Sequence, residues 1–218
     1  IENWSVRSFN SLFHAIFATS SIPEAIEYYK IFAEEKKKGN HQLKVTALFD
    51  PSDDNTSTSI FKMNGITEIL TDYKDMFGTF YDHAHYASFK KDLCRRLAHK
   101  EPYQKIDSNK QLNIVIVVDQ LLTGFDSKWI NTVYLDKVLR GKNFIQAASR
   151  TNRLYGPEKR HGTIVWYRYP HTTEKYFEDA VSDYSGNNPF GVFVSKLEKN
   201  LNSMNELFDE IKDHFDEA

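Results

Sequence analysis

The sequence predicts an α/β domain built on a largely parallel sheet. Short apolar runs alternate with stretches of helical periodicity, as in βαβ units. The run at residues 113–118 (NIVIVV) is continuously apolar and β-branched, which is typical of a central strand buried on both faces. A chain of 218 residues can bury such a sheet without a disulfide framework, and its single cysteine, Cys94, favours a reducing compartment.

The first half of the chain predicts two strands with a helix between them. The first strand is expected at residues 12–19 (LFHAIFAT). Ser21 and Glu24 have the spacing of a capping box, and apolar residues at helical spacing follow them. A second strand is predicted at residues 43–49 (LKVTALF). The polar loop at residues 50–59 has no apolar anchor, and we expect it to be mobile.

Helices and three more strands are predicted beyond this loop. Residues 60–100 indicate two or more helices, broken near Gly78. After the strand at 113–118, short strands are expected at residues 132–135 and 163–167, with a helix over 144–154 between them. The order of elements is that of a sheet flanked by helices.

The last part of the chain, residues 171–218, is predicted to be a helical C-terminal extension. Apolar residues there repeat at alternating three- and four-residue steps, namely Phe193, Leu197, Leu201, Met204, Phe208, Ile211 and Phe215. Two interpretations stay open: this stripe packs on its own domain, or it docks on a neighbouring one.

Charge is distributed unevenly in a chain whose net charge is −2. Residues 137–168 hold eight Lys or Arg against one acid, and residues 198–218 hold seven acids against two Lys. The basic stretch is the electrostatic pattern expected for a phosphate site, unless acids distant in sequence neutralise it in space. The chain as a whole is not a polycation, and no apolar run approaches the ~18 residues of a membrane span.

A turn and a helix in the basic region have candidate chemistry. A Gly-bearing turn, Thr123-Gly124-Phe125-Asp126, follows the buried strand that ends near Asp119. Ligands of parallel sheets gather at the carboxyl ends of strands, so we expect the turn and the following helix to face one crevice there.

Two arginines of that helix are the strongest candidates for binding an anion. Arg150 and Arg153 are three residues apart and are predicted to share a helix face. Such a pair suits an anion or carboxylate, including a phosphoryl-transfer transition state. The alternative is a surface helix with two solvated arginines.

Other catalytic patterns are missing from the sequence. No G-x-x-x-x-G-K-[ST] motif occurs, so we expect no P-loop ATP hydrolysis by this chain alone. Asp119 is interpreted as a strand-end residue or as a hydrogen-bonding residue of the following turn. The potential metal ligands Asp82, His83, His85, Cys94 and His99 match no zinc spacing, and helix-surface histidines are the better interpretation. We therefore expect no metal site.

Three segments resemble a known family. Residues 121–126 (LLTGFD) followed by 146–153 (QAASRTNR) closely resemble motifs V and VI of superfamily 2 helicases. The particular residues in these motifs are similar to those of the motor subunit of type I restriction-modification enzymes. Residues 17–25 (FATSSIPEA) are similar to the first βα unit of that family's second RecA-like lobe. The resemblance covers residues 11–169 and implies a RecA-like lobe at 1–170 with a helical insertion at about 60–110.

The resemblance also implies roles for particular residues. Arg153 would be the arginine finger that reaches the γ-phosphate of ATP, Arg150 would support it, and Gln146 would help to sense nucleotide. Gly124 and Asp126 would link the nucleotide pocket to DNA. Thr123, Thr19 and Ser20 would lie near the DNA backbone.

Cofactors and partners follow from the same resemblance. ATP and Mg²⁺ would bind in the full-length subunit, and none is expected on this piece alone, which begins at Ile1 without a Met. Partners would be double-stranded DNA, the first RecA-like lobe and nuclease domain of the same chain, and the methylation and specificity subunits. The resemblance implies that the protein acts in the bacterial cytoplasm and does not bind a membrane. The alternatives are another superfamily 2 DNA or RNA helicase, or a non-catalytic α/β module that binds an anion or a protein.

Overall fold

A computed structural model of the chain describes residues 3–52, 59–107, 110–185 and 204–205. The polypeptide divides into two compact units, residues 1–180 and 181–218. In the second unit, the described residues are 181–185, which end a helix, and 204–205. Apart from Met204, the predicted apolar stripe of the tail lies outside the described residues, as do residues 53–58 of the polar loop.

All five predicted strands are present, and they form one parallel sheet with the strand order β2-β3-β1-β4-β5. The strands are β1 (His14–Thr19), β2 (Val45–Leu48), β3 (Ile114–Val117), β4 (Ile130–Asp136) and β5 (Thr163–Trp166). Every residue of β1, β2 and β3 is buried. The sheet and its flanking helices confirm the predicted α/β, RecA-like class.

The helices occur where the periodicity predicts them. They are α1 (Trp4–Arg7), α2 (Ile22–Lys37), α3 (Ser59–Phe77), α4 (Tyr86–Leu97), α5 (Gly141–Ala148) and α6 (Pro170–Ser185). The predicted cap of α2 forms, since Ser21 Oγ accepts a hydrogen bond from the backbone N–H of Glu24 at 3.4 Å. The predicted break follows α3 at Gly78, whose φ of +77° ends the helix in the left-handed region. Among the described residues, no helix is both long enough and apolar enough to cross a bilayer.

Several predicted boundaries are wrong by two or three residues: β2 begins at Val45 rather than at 43, β4 at Ile130 rather than at 132, and α5 at Gly141 rather than at 144. Two further differences change the interpretation of the site. β1 begins at His14 rather than at residue 12, because Phe9, Asn10 and Ser11 all have positive φ and form a left-handed turn. The helix predicted over 144–154 ends at Ala148 and continues only as a 3₁₀ turn, Ser149–Thr151. Arg153 therefore lies beyond the helix and does not share a helix face with Arg150.

Candidate functional site

The turn at residues 123–126 and the end of α5 lie against each other. The Arg150 guanidinium donates a hydrogen bond to the backbone carbonyl of Phe125, and its Nε donates to the carbonyl of Gln146 at 3.0 Å. Because Gln146 belongs to α5, the half-buried side chain of Arg150 ties the turn to that helix. A charged donor on a backbone carbonyl is among the stronger hydrogen bonds of a protein.

Arg153 meets the same turn at its carboxylate. Its Nη2 lies 2.5 Å from Oδ2 of Asp126, and the two side chains are 64% and 55% exposed. An ion pair this exposed contributes only about 0–1 kcal/mol, so a more highly charged anion could compete for Arg153 at little cost. Both arginines thus meet the predicted turn, although they do not lie on one helix face.

Gly124 gives this turn its shape. Its φ is +68°, and no atom lies within 4 Å of the position that a Cβ would take. The neighbouring Thr123 is exposed, as is Asp126. A bare backbone next to an exposed carboxylate and Arg153 leaves room for a ligand.

The expected position of this cluster at the carboxyl ends of the strands is wrong. Asp126 lies four residues before β4 begins at Ile130. Thr151, at the end of the 3₁₀ turn, packs against Gly162, which immediately precedes β5. Because α5 starts after β4 has ended and runs back along the sheet, it delivers Arg150 and Arg153 to the beginnings of β4 and β5.

Lys159 is a residue of this region that the sequence did not single out. Its side chain is buried, and Nζ donates hydrogen bonds to the carbonyls of Lys128 at 3.0 Å and Ile130 at 2.6 Å. Burial lowers the pKa of Lys159 to about 8. Paired backbone hydrogen bonds of 3.0 Å also join Lys159 to Tyr155. The loop that follows Arg153 is therefore fixed to the start of β4.

The two candidate DNA contacts at the end of β1 differ in accessibility. Thr19 is fully buried, and its hydroxyl donates to the carbonyl of Val117 at 3.3 Å. Ser20 is exposed, and its hydroxyl donates to the carbonyl of Asp136 at 3.2 Å. Ser20 can therefore reach an outside partner, whereas Thr19 joins the ends of β1 and β3.

A network that the sequence did not reveal surrounds Ser20. The guanidinium of Arg168 lies 2.8 Å from the Glu24 carboxylate and 3.1 Å from that of Asp136. Glu24 in turn accepts a hydrogen bond from the backbone N–H of Ser20 at 2.9 Å. Tyr28 donates to Asp136 at 2.7 Å, and this hydrogen bond is the main reason why the pKa of Tyr28 is raised to about 12.

Several cations of the basic stretch meet acids that are distant in sequence. Lys137 lies 2.7 Å from Asp119, which follows the end of β3 as predicted. Arg153 and Arg168 have the partners described above. Three of the eight cations are therefore neutralised in space, which supports that interpretation for part of the stretch.

The five potential metal ligands do not converge. Asp82 and His85 form an exposed pair at 2.7 Å, while His83 contacts Thr67 at 2.9 Å. The ring of His99 stacks on Trp129, with 3.9 Å between centroids. Over the part of the chain that the structure describes, no three His, Cys, Asp or Glu side chains are placed to bind a metal ion.

Comparison with known proteins gives a consistent result. The family model described as type I restriction enzyme subunit R, domain 3, matches residues 11–169. A type I restriction enzyme endonuclease subunit of Staphylococcus saprophyticus is 33% identical over 172 residues, covering 77% of this chain and 18% of the relative. One from Staphylococcus aureus is 32% identical over 192 residues, covering 86% of this chain and 20% of the relative. The HindI endonuclease subunit of Haemophilus influenzae is 48% identical over 63 residues, 28% of this chain and 6% of that protein.

Proposed function

Because this chain belongs to the family of type I restriction enzyme R subunits, we propose that it is the second RecA-like lobe of an ATP-dependent DNA translocase. The chain spans only 18–20% of the length of the staphylococcal relatives. The lobe would therefore act as one part of a longer subunit, and it would be inactive by itself.

One observation carries this proposal. Arg150 and Arg153, from the segment after α5, both bind the turn that contains Gly124 and Asp126. In this arrangement Arg150 is the anchor, since its guanidinium is held by carbonyls. Arg153 is the mobile finger, since only an exposed carboxylate holds it. The γ-phosphate of ATP bears more negative charge than Asp126 and would draw Arg153 away.

The residues present fit half of an ATP site. The open backbone at Gly124 and the exposed carboxylate of Asp126 would border the nucleotide, and Gln146 on α5 would lie behind them. Across the described ranges no cluster of acids could hold Mg²⁺, so its ligands would come from the first RecA-like lobe. When bound, ATP and Mg²⁺ supply the phosphoryl group and part of its charge neutralisation, while Arg153 stabilises the charge that develops on it.

Contacts with double-stranded DNA would lie at two places. Ser20 offers an exposed hydroxyl at the carboxyl end of β1, and Thr123 offers another on the turn beside the proposed nucleotide site. Thr19 would act indirectly, through its hydrogen bond to the end of β3. The other partners would be the first lobe and nuclease domain of the same subunit and the methylation and specificity subunits, in the bacterial cytoplasm.

DNA-stimulated ATP hydrolysis by the longer subunit tests this function. We expect Arg153→Ala to lower the rate by about 10³-fold, as is usual when an arginine finger is lost. Arg95→Ala is the matched control, because Arg95 is an exposed arginine on α4, outside the proposed site. DNA binding, followed at the same time, should be retained by both variants.

Two outcomes separate the candidate functions, and a third identifies destabilised variants. Loss of ATPase activity confined to Arg153→Ala supports the motor. Equal activity of wild type, Arg153→Ala and Arg95→Ala would contradict it and would favour the non-catalytic module, with Arg153 serving only as the partner of Asp126. Equal loss in both variants would show general destabilisation, which circular dichroism of the purified proteins would reveal.

A further inference from the structure

Two acceptors hold Ser20 at the carboxyl end of β1, and a single arginine binds the residues that supply them. The backbone N–H of Ser20 donates to Oε2 of Glu24 at 2.9 Å, and its hydroxyl donates to the backbone carbonyl of Asp136 at 3.2 Å. The guanidinium of Arg168 contacts both carboxylates, with Nη2 at 2.8 Å from Oε1 of Glu24 and Nε at 3.1 Å from Oδ1 of Asp136. Ser20 is therefore linked to Arg168 along two routes.

Arg168 reaches these carboxylates from a strand that does not neighbour β1. It follows β5, which ends at Trp166, and β4 lies between β5 and β1 in the sheet. Its side chain must therefore extend past the end of β4 to the junction of β1 and α2. A long side chain with a planar fork of donors suits this task, because the fork binds two carboxylates in a fixed geometry.

The electrostatics of this network are unfavourable for a DNA-binding surface. Arg168 supplies one positive charge, and Glu24 and Asp136 supply two negative charges, beside the exposed hydroxyl of Ser20. A net negative charge repels DNA phosphates. Stability gains little from the pair with Glu24, since the side chains of Arg168 and Glu24 are 34% and 30% exposed. A carboxylate at this place would benefit DNA binding only by orienting a contact.

The two hydrogen bonds of Ser20 differ in strength. The bond from its backbone N–H to Glu24 has the ordinary length of 2.9 Å and a charged acceptor. The bond from its hydroxyl to the Asp136 carbonyl is long for an O–H donor, at 3.2 Å. A phosphate oxygen is a stronger acceptor than a carbonyl. The hydroxyl can therefore turn from Asp136 to a phosphate while Glu24 keeps the backbone of Ser20 in place.

We propose that Arg168 is a positioning residue for the DNA contact of the motor. It holds the Glu24 carboxylate on the backbone N–H of Ser20, and this fixes the place from which the Ser20 hydroxyl meets a phosphate. Arg168 needs no contact with DNA in this role, because the two carboxylates occupy its Nε and Nη2. The inference rests on the proposed function, since it requires Ser20 to contact DNA.

Binding of a fluorescein-labelled DNA duplex by the longer subunit, followed by fluorescence anisotropy, tests this role. Removal of the negative charge in Glu24→Ala would strengthen DNA binding if charge alone mattered. Positioning predicts the opposite sign, a loss of about fivefold in affinity, which is within the range found for coupled neighbours. Glu27→Ala is the matched control, because it removes an exposed carboxylate from the same helix. We expect it not to weaken binding.

Arg168→Lys is the second variant. It keeps the positive charge but replaces the fork with a single ammonium, which cannot take the places of both Nε and Nη2. We expect a loss of about fivefold in DNA affinity here too. Arg95→Lys, the same exchange at an exposed position on α4, should bind DNA like the wild type.

A double-mutant cycle separates positioning from a purely structural role. Ser20→Ala should lower DNA affinity about tenfold, the size expected for one hydrogen bond to a charged group. In the Ser20→Ala background, Glu24→Ala and Arg168→Lys should each change affinity by less than about twofold, because the residue they position has lost its hydroxyl. Circular dichroism checks the fold of every variant, and Arg168→Lys keeps the test available if Glu24→Ala does not fold.

Two results would overturn the inference while leaving Ser20 as a DNA contact. One is DNA binding by Glu24→Ala that equals or exceeds that of the wild type. The other is a loss in Arg168→Lys that is the same with and without the Ser20 hydroxyl, since Arg168 would then act on DNA directly or through the fold. Wild-type affinity in Ser20→Ala is a different result: it would remove the proposed contact itself, and the role of Arg168 with it.

Discussion

The guanidinium of Arg153 and the carboxylate of Asp126 are joined at 2.5 Å, although both side chains are more than half exposed. This contact connects the loop after α5 with the turn before β4, two segments that are 27 residues apart in the sequence. Because water surrounds the pair, it contributes little to stability, and Arg153 can exchange Asp126 for a more highly charged anion at little cost.

Asp126→Asn should therefore separate function from stability. We expect the free energy of unfolding of the 218-residue chain to change by less than about 1 kcal/mol. DNA-stimulated ATP hydrolysis by the longer subunit should fall about 100-fold, because the Asp126 carboxylate is itself proposed to border the nucleotide and to link its pocket to DNA. Urea denaturation and steady-state kinetics provide the two measurements.

The control for this variant is Asp75→Asn, which neutralises an exposed carboxylate on α3. It should change neither the free energy of unfolding nor the rate of DNA-stimulated ATP hydrolysis. A large loss of stability in Asp126→Asn would instead assign the ion pair a structural role.

Gly162→Ala should destabilise the chain through steric overlap. A Cβ at this position would stand 2.1 Å from Oγ1 of Thr151 and 2.6 Å from its backbone oxygen. The 3₁₀ turn that contains Arg150 must then shift, and we expect a loss of about 3 kcal/mol in the free energy of unfolding. Chemical denaturation followed by circular dichroism measures it.

Gly124→Ala is the matched comparison. No atom lies within 4 Å of its would-be Cβ, so only the left-handed backbone, with φ of +68°, carries a cost. That cost should be about 1 kcal/mol. If the two variants were equally unstable, close packing of Thr151 on Gly162 would not be the cause.

Thr19→Val should lower stability, whereas Ser20→Ala should lower DNA affinity. The buried hydroxyl of Thr19 bonds to the end of β3, so its loss should cost about 1 kcal/mol of stability. Its effect on DNA affinity should be small. Ser20 is exposed, so Ser20→Ala should leave stability unchanged and weaken DNA binding by the longer subunit, measured by fluorescence anisotropy. If Ser20→Ala bound DNA like the wild type, Ser20 would not be a contact.

A pair of neutral histidines should make the chain acid-sensitive. The imidazoles of His14 and His99 are 3.0 Å apart between their Nε2 atoms, and Nδ1 of His14 donates to the carbonyl of Leu112. Burial lowers the pKa of His14 to about 3 and that of His99 to about 4. The unfolded chain, with histidine pKa values near 6.5, therefore binds protons first as the pH falls.

The free energy of unfolding is therefore unaffected by these two histidines above pH 6.5, and it decreases as the pH falls from 6.5 toward 4. Each histidine should contribute about 1.4 kcal/mol per pH unit to the slope of the unfolding free energy in that range. His99→Gln should reduce the slope by one such contribution, whereas the exposed His171→Gln should not. Urea titrations between pH 7 and 4.5 measure both, and parallel slopes in wild type and His99→Gln would contradict the assignment.

The sequence predicted the sheet well because each strand has a local signal. The β-branched run of β3 is buried on both faces, and the cap formed by Ser21 and Glu24 uses residues three apart. The start of β1 was misplaced because the left-handed turn before it contains no glycine that would indicate positive φ. The left-handed turn before β1 is held by Trp4, whose ring N–H donates to Ser11 at 2.9 Å.

The site could be predicted only where its residues are close in sequence. The motif residues from Thr123 to Arg153 were identified, but their common location beside the starts of β4 and β5 was not. Arg168 and Glu24 are 144 positions apart, and no local pattern indicates that they meet. Lys159 was missed because lysine is so rarely buried that sequence reasoning places it on the surface.

Strand β4 has a mechanical consequence for the proposed motor. It begins just after the turn that holds Arg153 and ends at Asp136, whose carbonyl accepts the hydroxyl of Ser20. Its seven residues span about 20 Å, and hydrogen bonds to β1 and β5 on either side keep it from stretching or buckling. Such a strand keeps the turn before its first residue and Ser20 at its last residue at a nearly fixed distance from each other.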